Sequence, residues 1–128
     1  MIRALALLAL LLLASPEARA QSNSGGFPKA QNALSNTAVV LKAGRGVLRT
    51  INCGNGNAAI TFLQFWDTTS AVVVGTTAPT FVVPLPVSNA FGFPADLNFQ
   101  VGLKVAATTT ATGGSAPSTA LTCTFGVN

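Results

Sequence analysis

VLRTINCGNGNAAITFLQFW, residues 47–66, sets two runs of β-branched and aromatic residues on either side of a Gly-Asn-Gly-Asn break. Residues 47–53 read as one strand and residues 58–66 as the next, because Val, Ile, Thr, Phe and Trp suit a pleated, half-buried surface. The Asn55-Gly56 pair supplies the positive φ of a tight turn, so the stretch is expected to fold as a β-hairpin. In the second run Ile60, Phe62 and Trp66 alternate with Thr61, Leu63 and Phe65. Both faces are therefore largely apolar, as in a strand buried on two sides or turned toward a partner.

The pattern continues outward in both directions. Residues 37–42 form a strand, and Ala43-Gly44-Arg45-Gly46 is the turn that leads into the next. Residues 67–79 are a Thr-rich loop with a short edge strand at 72–74, and residues 80–85 are a strand whose neighbours Pro79, Pro84 and Pro86 place it at a sheet edge. Leu97, Phe99, Val101, Leu103 and Val105 alternate with Asn98, Gln100, Gly102 and Lys104, which predicts one half-buried strand over 97–105. Leu121, Cys123, Phe125 and Val127 repeat the pattern, and residues 106–119, containing ATTTATGGSAPST, read as a long mobile loop. Six or seven short strands with turns between them make an all-β chain, a single antiparallel β-sandwich of immunoglobulin-like or jelly-roll-like type over residues 37–128.

Two segments precede this domain. Residues 21–36, rich in Ser, Asn and Gly without an apolar period, are expected to be a flexible arm. Residues 1–20, MIRALALLALLLLASPEARA, have the parts of a bacterial export signal: Arg3, an apolar centre at 4–14, and Ala18-Arg19-Ala20 as the cleavage site. That apolar run is shorter than the roughly 20 residues a membrane helix needs. The mature chain is then expected to begin at Gln21, to have no membrane span, and to be periplasmic or extracellular.

Two cysteines, Cys53 and Cys123, fit that compartment as one disulfide. The bond would close a loop of about 70 residues and contribute on the order of 4 kcal/mol in the chain-entropy model. With no His and no Cys-x-x-Cys, a metal site is not expected. Without the leader, Lys29, Lys42, Arg45, Arg49 and Lys104 stand against Asp67 and Asp96. Such scattered cations give no nucleic-acid footprint, which needs a basic stripe along one face.

Catalytic chemistry is sparsely supplied. His and Tyr are absent, and Asp67 and Asp96 sit where Asp commonly makes turns, although a small hydrolase would have to use them. Gly54-Asn55-Gly56-Asn57-Ala58-Ala59 has the form of a relaxed dinucleotide fingerprint, but a strand follows it where a helix N-terminus is required, so no cofactor is expected. The remaining surface must be Thr, Ser, Asn, Gln and Gly, which suits a protein that packs against copies or partners. Phe62, Phe65 and Trp66, with Arg45 and Arg49, are the residues from which a binding surface would be built.

From Thr37 onward, the order VVLKAGRGVLRTINCGNGNAAITFLQFWD, GTTAP (75–79), FVVPLP (81–86) and GLKVAATTTATGGSAPS (102–118) resembles a family of small β-sandwich proteins of tailed phages and prophages. The resemblance implies a sandwich that decorates virions or forms appendages, and it implies no catalytic residues. Virion proteins assemble in the cytoplasm and need neither leader nor disulfide, and this chain departs from the pattern in both. The leading expectation is an exported, non-enzymatic structural or binding module; a virion protein, a pilus-like or adhesin subunit and a periplasmic ligand binder are the alternatives.

Overall fold

The computed structural model describes residues 26–128; the predicted signal at 1–20 and the first residues of the predicted arm lie outside them. The described chain is all-β, with eight strands: β1 (Phe27–Leu34), β2 (Val39–Ala43), β3 (Gly46–Asn55), β4 (Thr61–Asp67), β5 (Phe81–Leu85), β6 (Asn89–Phe99), β7 (Gly102–Thr108) and β8 (Leu121–Val127). They form two four-stranded antiparallel sheets, β1-β8-β3-β6 (sheet A) and β2-β7-β4-β5 (sheet B). This interleaved order, with the first and last strands adjacent and every consecutive pair except β4 and β5 divided between the sheets, is that of a jelly roll, one of the two sandwich types expected. No helix among the described residues is long and apolar enough to cross a membrane.

The core lies between the sheets and follows the predicted alternation closely. Leu48, Ile51 and Cys53 of β3, Leu63 and Phe65 of β4, Leu103 and Val105 of β7, and Leu121, Cys123 and Phe125 of β8 are all buried in one cluster. Each large apolar side chain removed from water there contributes about 1.5–3 kcal/mol. Phe65 stacks on Phe81 at 4.5 Å and meets Phe125 edge-on at 6.0 Å, tying the two sheets together. The strand prolines Pro28, Pro84 and Pro94 lie on β1, β5 and β6, all edge strands, where a missing N–H interrupts no ladder.

Four local expectations are corrected. The predicted hairpin at 54–57 is a corner between sheets: β3 pairs with β6 and β8, β4 with β5 and β7, and no residue of the break has positive φ. Asn55 and Asn57 are instead buried and hydrogen-bond the corner together. The predicted strand over 97–105 turns sharply at Gln100 and Val101, leaving Phe99 at the end of β6 in sheet A and Gly102 at the start of β7 in sheet B. Val101, expected inward, is 49% exposed at that turn. The segment 72–74 is not a strand; Thr76 and Thr77 N–H groups both bond the Val73 carbonyl there.

The fourth correction is that the sandwich begins ten residues before the expected boundary. Phe27–Leu34, read as part of the arm, is an edge strand paired with β8 from Phe27↔Val127 to Leu34↔Leu121. Its side chains are mostly exposed and only Leu34 reaches the core, so backbone pairing rather than an apolar face holds it. The loop after β7 is also fastened: Gln64 Nε2 donates to the Thr110 and Gly113 carbonyls, and Asn36 Nδ2 to the Gly114 carbonyl at 2.8 Å.

Candidate functional site

Sequence places the candidate surface on β4, and the structure closes it. β4 is an interior strand of sheet B, and the loops 68–80 and 109–120 lie over its outer side. Phe65 is 0% exposed, facing the core, and Trp66 is 2% exposed beneath the first loop, its Nε1 donating to the Thr77 carbonyl at 3.1 Å. Phe62 is half-buried opposite Pro84. These three residues therefore form no aromatic platform. Gln64 completes the seal, wholly buried and donating to Thr108 Oγ1 at 2.9 Å as well as to the loop.

The two loops meet where neither has a side chain. A Cβ on Gly75, whose φ is +87°, would lie 2.7 Å from the Gly114 nitrogen, and one on Gly114 would lie 2.6 Å from the Val74 carbonyl oxygen. Any other residue would force the loops apart. Lys104 Nζ donates to the Ser70 carbonyl at 2.6 Å and pins the first loop to β7. The outer side of sheet B is thus a lid built into the fold.

The basic pair also separates. Arg45 is exposed in the turn between β2 and β3, where Gly44 takes φ +93° as the predicted turn requires. Arg49 lies on β3 and is spent on Asp96, Nη1 to Oδ1 at 2.8 Å. Their meeting is built by a β-bulge: Leu48 pairs with Leu97 and Thr50 with Pro94, so Ala95 and Asp96 oppose Arg49 alone. Asp96 accepts φ +46° at the bulge, a conformation Asp tolerates better than most residues.

Asp67, the other candidate carboxylate, is fully engaged as well. Oδ2 accepts from Gln100 N at 2.7 Å, and Oδ1 from Val101 N at 2.8 Å and Gly102 N at 3.1 Å. The Gln100 N–H bond is the main cause of a carboxyl held below its ordinary value of 3.8; slight burial opposes it, and the other two N–H groups add to it. Among the described residues no three His, Cys, Asp or Glu side chains are grouped to hold a metal. Cys53 and Cys123 face each other in register across β3 and β8 and are joined as the predicted disulfide.

What stays open is the outer face of sheet A. Its outward residues include Ala30 on β1, Thr122 and Thr124 on β8, Asn52 and Gly54 on β3, and Ala90 and Gly92 on β6. The glycines leave a shallow depression of about 350 Å³ bounded by Asn52, Gly54, Ala90, Gly92, Thr122 and Thr124. Around this depression the side chains are small, and the one ion pair of the face, Arg49 with Asp96, neutralises itself. In sequence only Thr122 and Thr124 read as solvent-facing alternates, whereas Ala30 falls in the expected arm and Gly54 in a turn; their lack of charge was the available signal.

Fold and surfaces together define a disulfide-linked jelly-roll sandwich with one sealed and one bare sheet face. No protein-family model, curated protein or solved structure matches the chain.

Proposed function

We propose that the chain is an exported, non-enzymatic structural or binding module that works by packing the bare face of sheet A, first against a second copy. The observation that carries this reading is the asymmetry of the sandwich, sealed by two loops on one outer face and open on the other. A face without unpaired charge is the least costly to strip of water. Hydroxyl and carboxamide groups both donate and accept, so Thr122, Thr124 and Asn52 are complementary to their own kind across a two-fold axis. Four strands spaced about 4.8 Å apart and roughly 25 Å long give a patch of about 480 Å² per copy, the size of a small, reversible interface.

Export is supported by the Cys53–Cys123 disulfide, since cytoplasmic thiols are kept reduced. It is supported also by the leader-like residues 1–20. The virion reading draws on the strand order, because jelly rolls include viral capsid domains, but that is analogy of fold alone. Strand exchange of the pilus type is disfavoured, since Phe27–Leu34 already occupies the place beside β8 in its own chain.

Size-exclusion chromatography with light scattering on residues 21–128 tests the proposal. The expected result is a dimer or larger species that becomes monomeric in the separate variants Thr124→Lys and Ala90→Lys, each still melting cooperatively and at a temperature that no longer depends on protein concentration. A strict monomer that binds neither envelope nor virion fractions overturns it.

A further inference from the structure

A second surface, at the open side of the sandwich where β1 and β2 run as free edges of different sheets, has a different chemistry. Between them lies a groove of about 400 Å³ lined by Phe27, Lys29, Val40, Leu41, Lys42 and Val127 among others. Phe27 is 68% exposed and Val40 56%, high values for side chains of this size. Two cations border this apolar floor, Lys29 from β1 and Lys42 from β2, and Arg45 follows in the next turn.

Charge bookkeeping singles these cations out. The described residues contain two side-chain carboxylates, Asp67 and Asp96. Asp67 is spent on three backbone N–H groups and Asp96 on Arg49, while Lys104 is bonded to the Ser70 carbonyl. Lys29, Lys42 and Arg45 make no ion pair with either carboxylate. An apolar strip flanked by unneutralised ammonium groups is complementary to a chain that carries an apolar side chain between carboxylates.

We propose that the groove between β1 and β2 binds an extended acidic segment of a partner protein, its apolar side chain on Phe27 and Val40 and its carboxylates against Lys29 and Lys42. The groove is open along one side, so a lipid tail in it would remain half wet, whereas well-held small ligands are mostly enclosed. A peptide has its remaining surface covered by the protein that bears it. Simple strand addition is hindered, because Pro28 offers no N–H and the register of β2 breaks between Val40 and Lys42. Recognition therefore rests on side chains.

The test is an amide-shift titration of ¹⁵N-labelled residues 21–128 with the peptide acetyl-Glu-Val-Phe-Val-Glu-amide, its Gln-for-Glu counterpart, and phosphatidylglycerol vesicles. Shift changes are expected to centre on Phe27, Lys29, Val40 and Lys42, with affinity about tenfold weaker for the Gln peptide and for Lys29→Glu, and further loss in Phe27→Ala. Lys42 carries its stem over Gly46, so Lys29→Gln and Lys29→Glu, on an exposed edge, keep the test independent of folding. Absence of shifts, shifts centred elsewhere, equal binding of the Gln peptide, or binding of vesicles alone each overturns the proposal. In the first of these cases the lysines act only to keep the sheet edges from pairing. None of these readouts depends on the face of sheet A.

Discussion

Individual polar residues hold two of the six places where this chain changes sheet. At the first corner Asn55 Oδ1 accepts from Asn57 N, Asn57 Nδ2 and Thr61 Oγ1, while its Nδ2 donates to the Pro86 carbonyl at 2.9 Å. Asn57 passes the connection on to the Thr119 backbone through both ends of its amide. At the second corner the Asp67 carboxylate gathers three consecutive N–H groups, so its charge bears directly on stability. Asp67→Asn is expected to cost about 1–2 kcal/mol at neutral pH, less than buried charged hydrogen bonds because the site is partly solvated. The folded-state pKa is lowered, so this contribution is complete above the unfolded value near 3.8 and is lost as pH falls through the lower folded value. Urea unfolding of wild type and variant should differ at pH 7 and converge toward pH 2. A gap that persists undiminished in acid would mean the charge is not what holds the turn.

At the scale of elements, what was legible in sequence is what side chains advertise. β8 was readable because Leu121, Cys123, Phe125 and Val127 are buried on one face and Thr122 and Thr124 are exposed on the other. The same alternation misled at 97–105, since Phe99 and Leu103 both face the one core from different sheets, and the turn between them is made by Asp67, distant in sequence. The Asn55-Gly56 signal marked a change of direction correctly but not its kind, because partners are chosen by tertiary packing that a local dipeptide does not encode. The aromatic surface was misplaced for a related reason: a strand apolar on both faces looks alike whether a partner or its own loops cover it. β1 was invisible because its attachment is backbone to backbone. It nevertheless shields β8, whose edge would otherwise offer unpaired N–H and C=O groups beside Leu121 and Phe125. Starting the chain at Ser35, with β1 removed, is expected to give soluble aggregates and a melting temperature at least about 10 °C lower. Starting it at Gly26 should leave both properties intact, as chromatography and circular dichroism would show.

On the scale of the whole molecule, the strand order makes nearly every pairing long-range, for β1 lies beside β8, β2 beside β7 and β3 beside β6. Such topologies fold slowly, because loop-closure entropy must be lost before the contacts that repay it form. The Cys53–Cys123 bond joins β3 to β8 across a sequence separation of 70, at the two interior strands of sheet A. With the bond intact, the closure that brings β3 beside β8 is already made in the unfolded chain. Replacing both cysteines with alanine is therefore expected to lower stability by about 4 kcal/mol in the chain-entropy model. The loss should fall mainly on folding if β3 and β8 pair in the transition state, slowing refolding by roughly a thousandfold while unfolding changes little. Stopped-flow refolding and unfolding of the oxidised protein and the double-alanine variant separate these limbs. Faster unfolding at an unchanged refolding rate would show that β3 and β8 come together only after the barrier, with the sandwich nucleating in sheet B around Phe65 and Phe81.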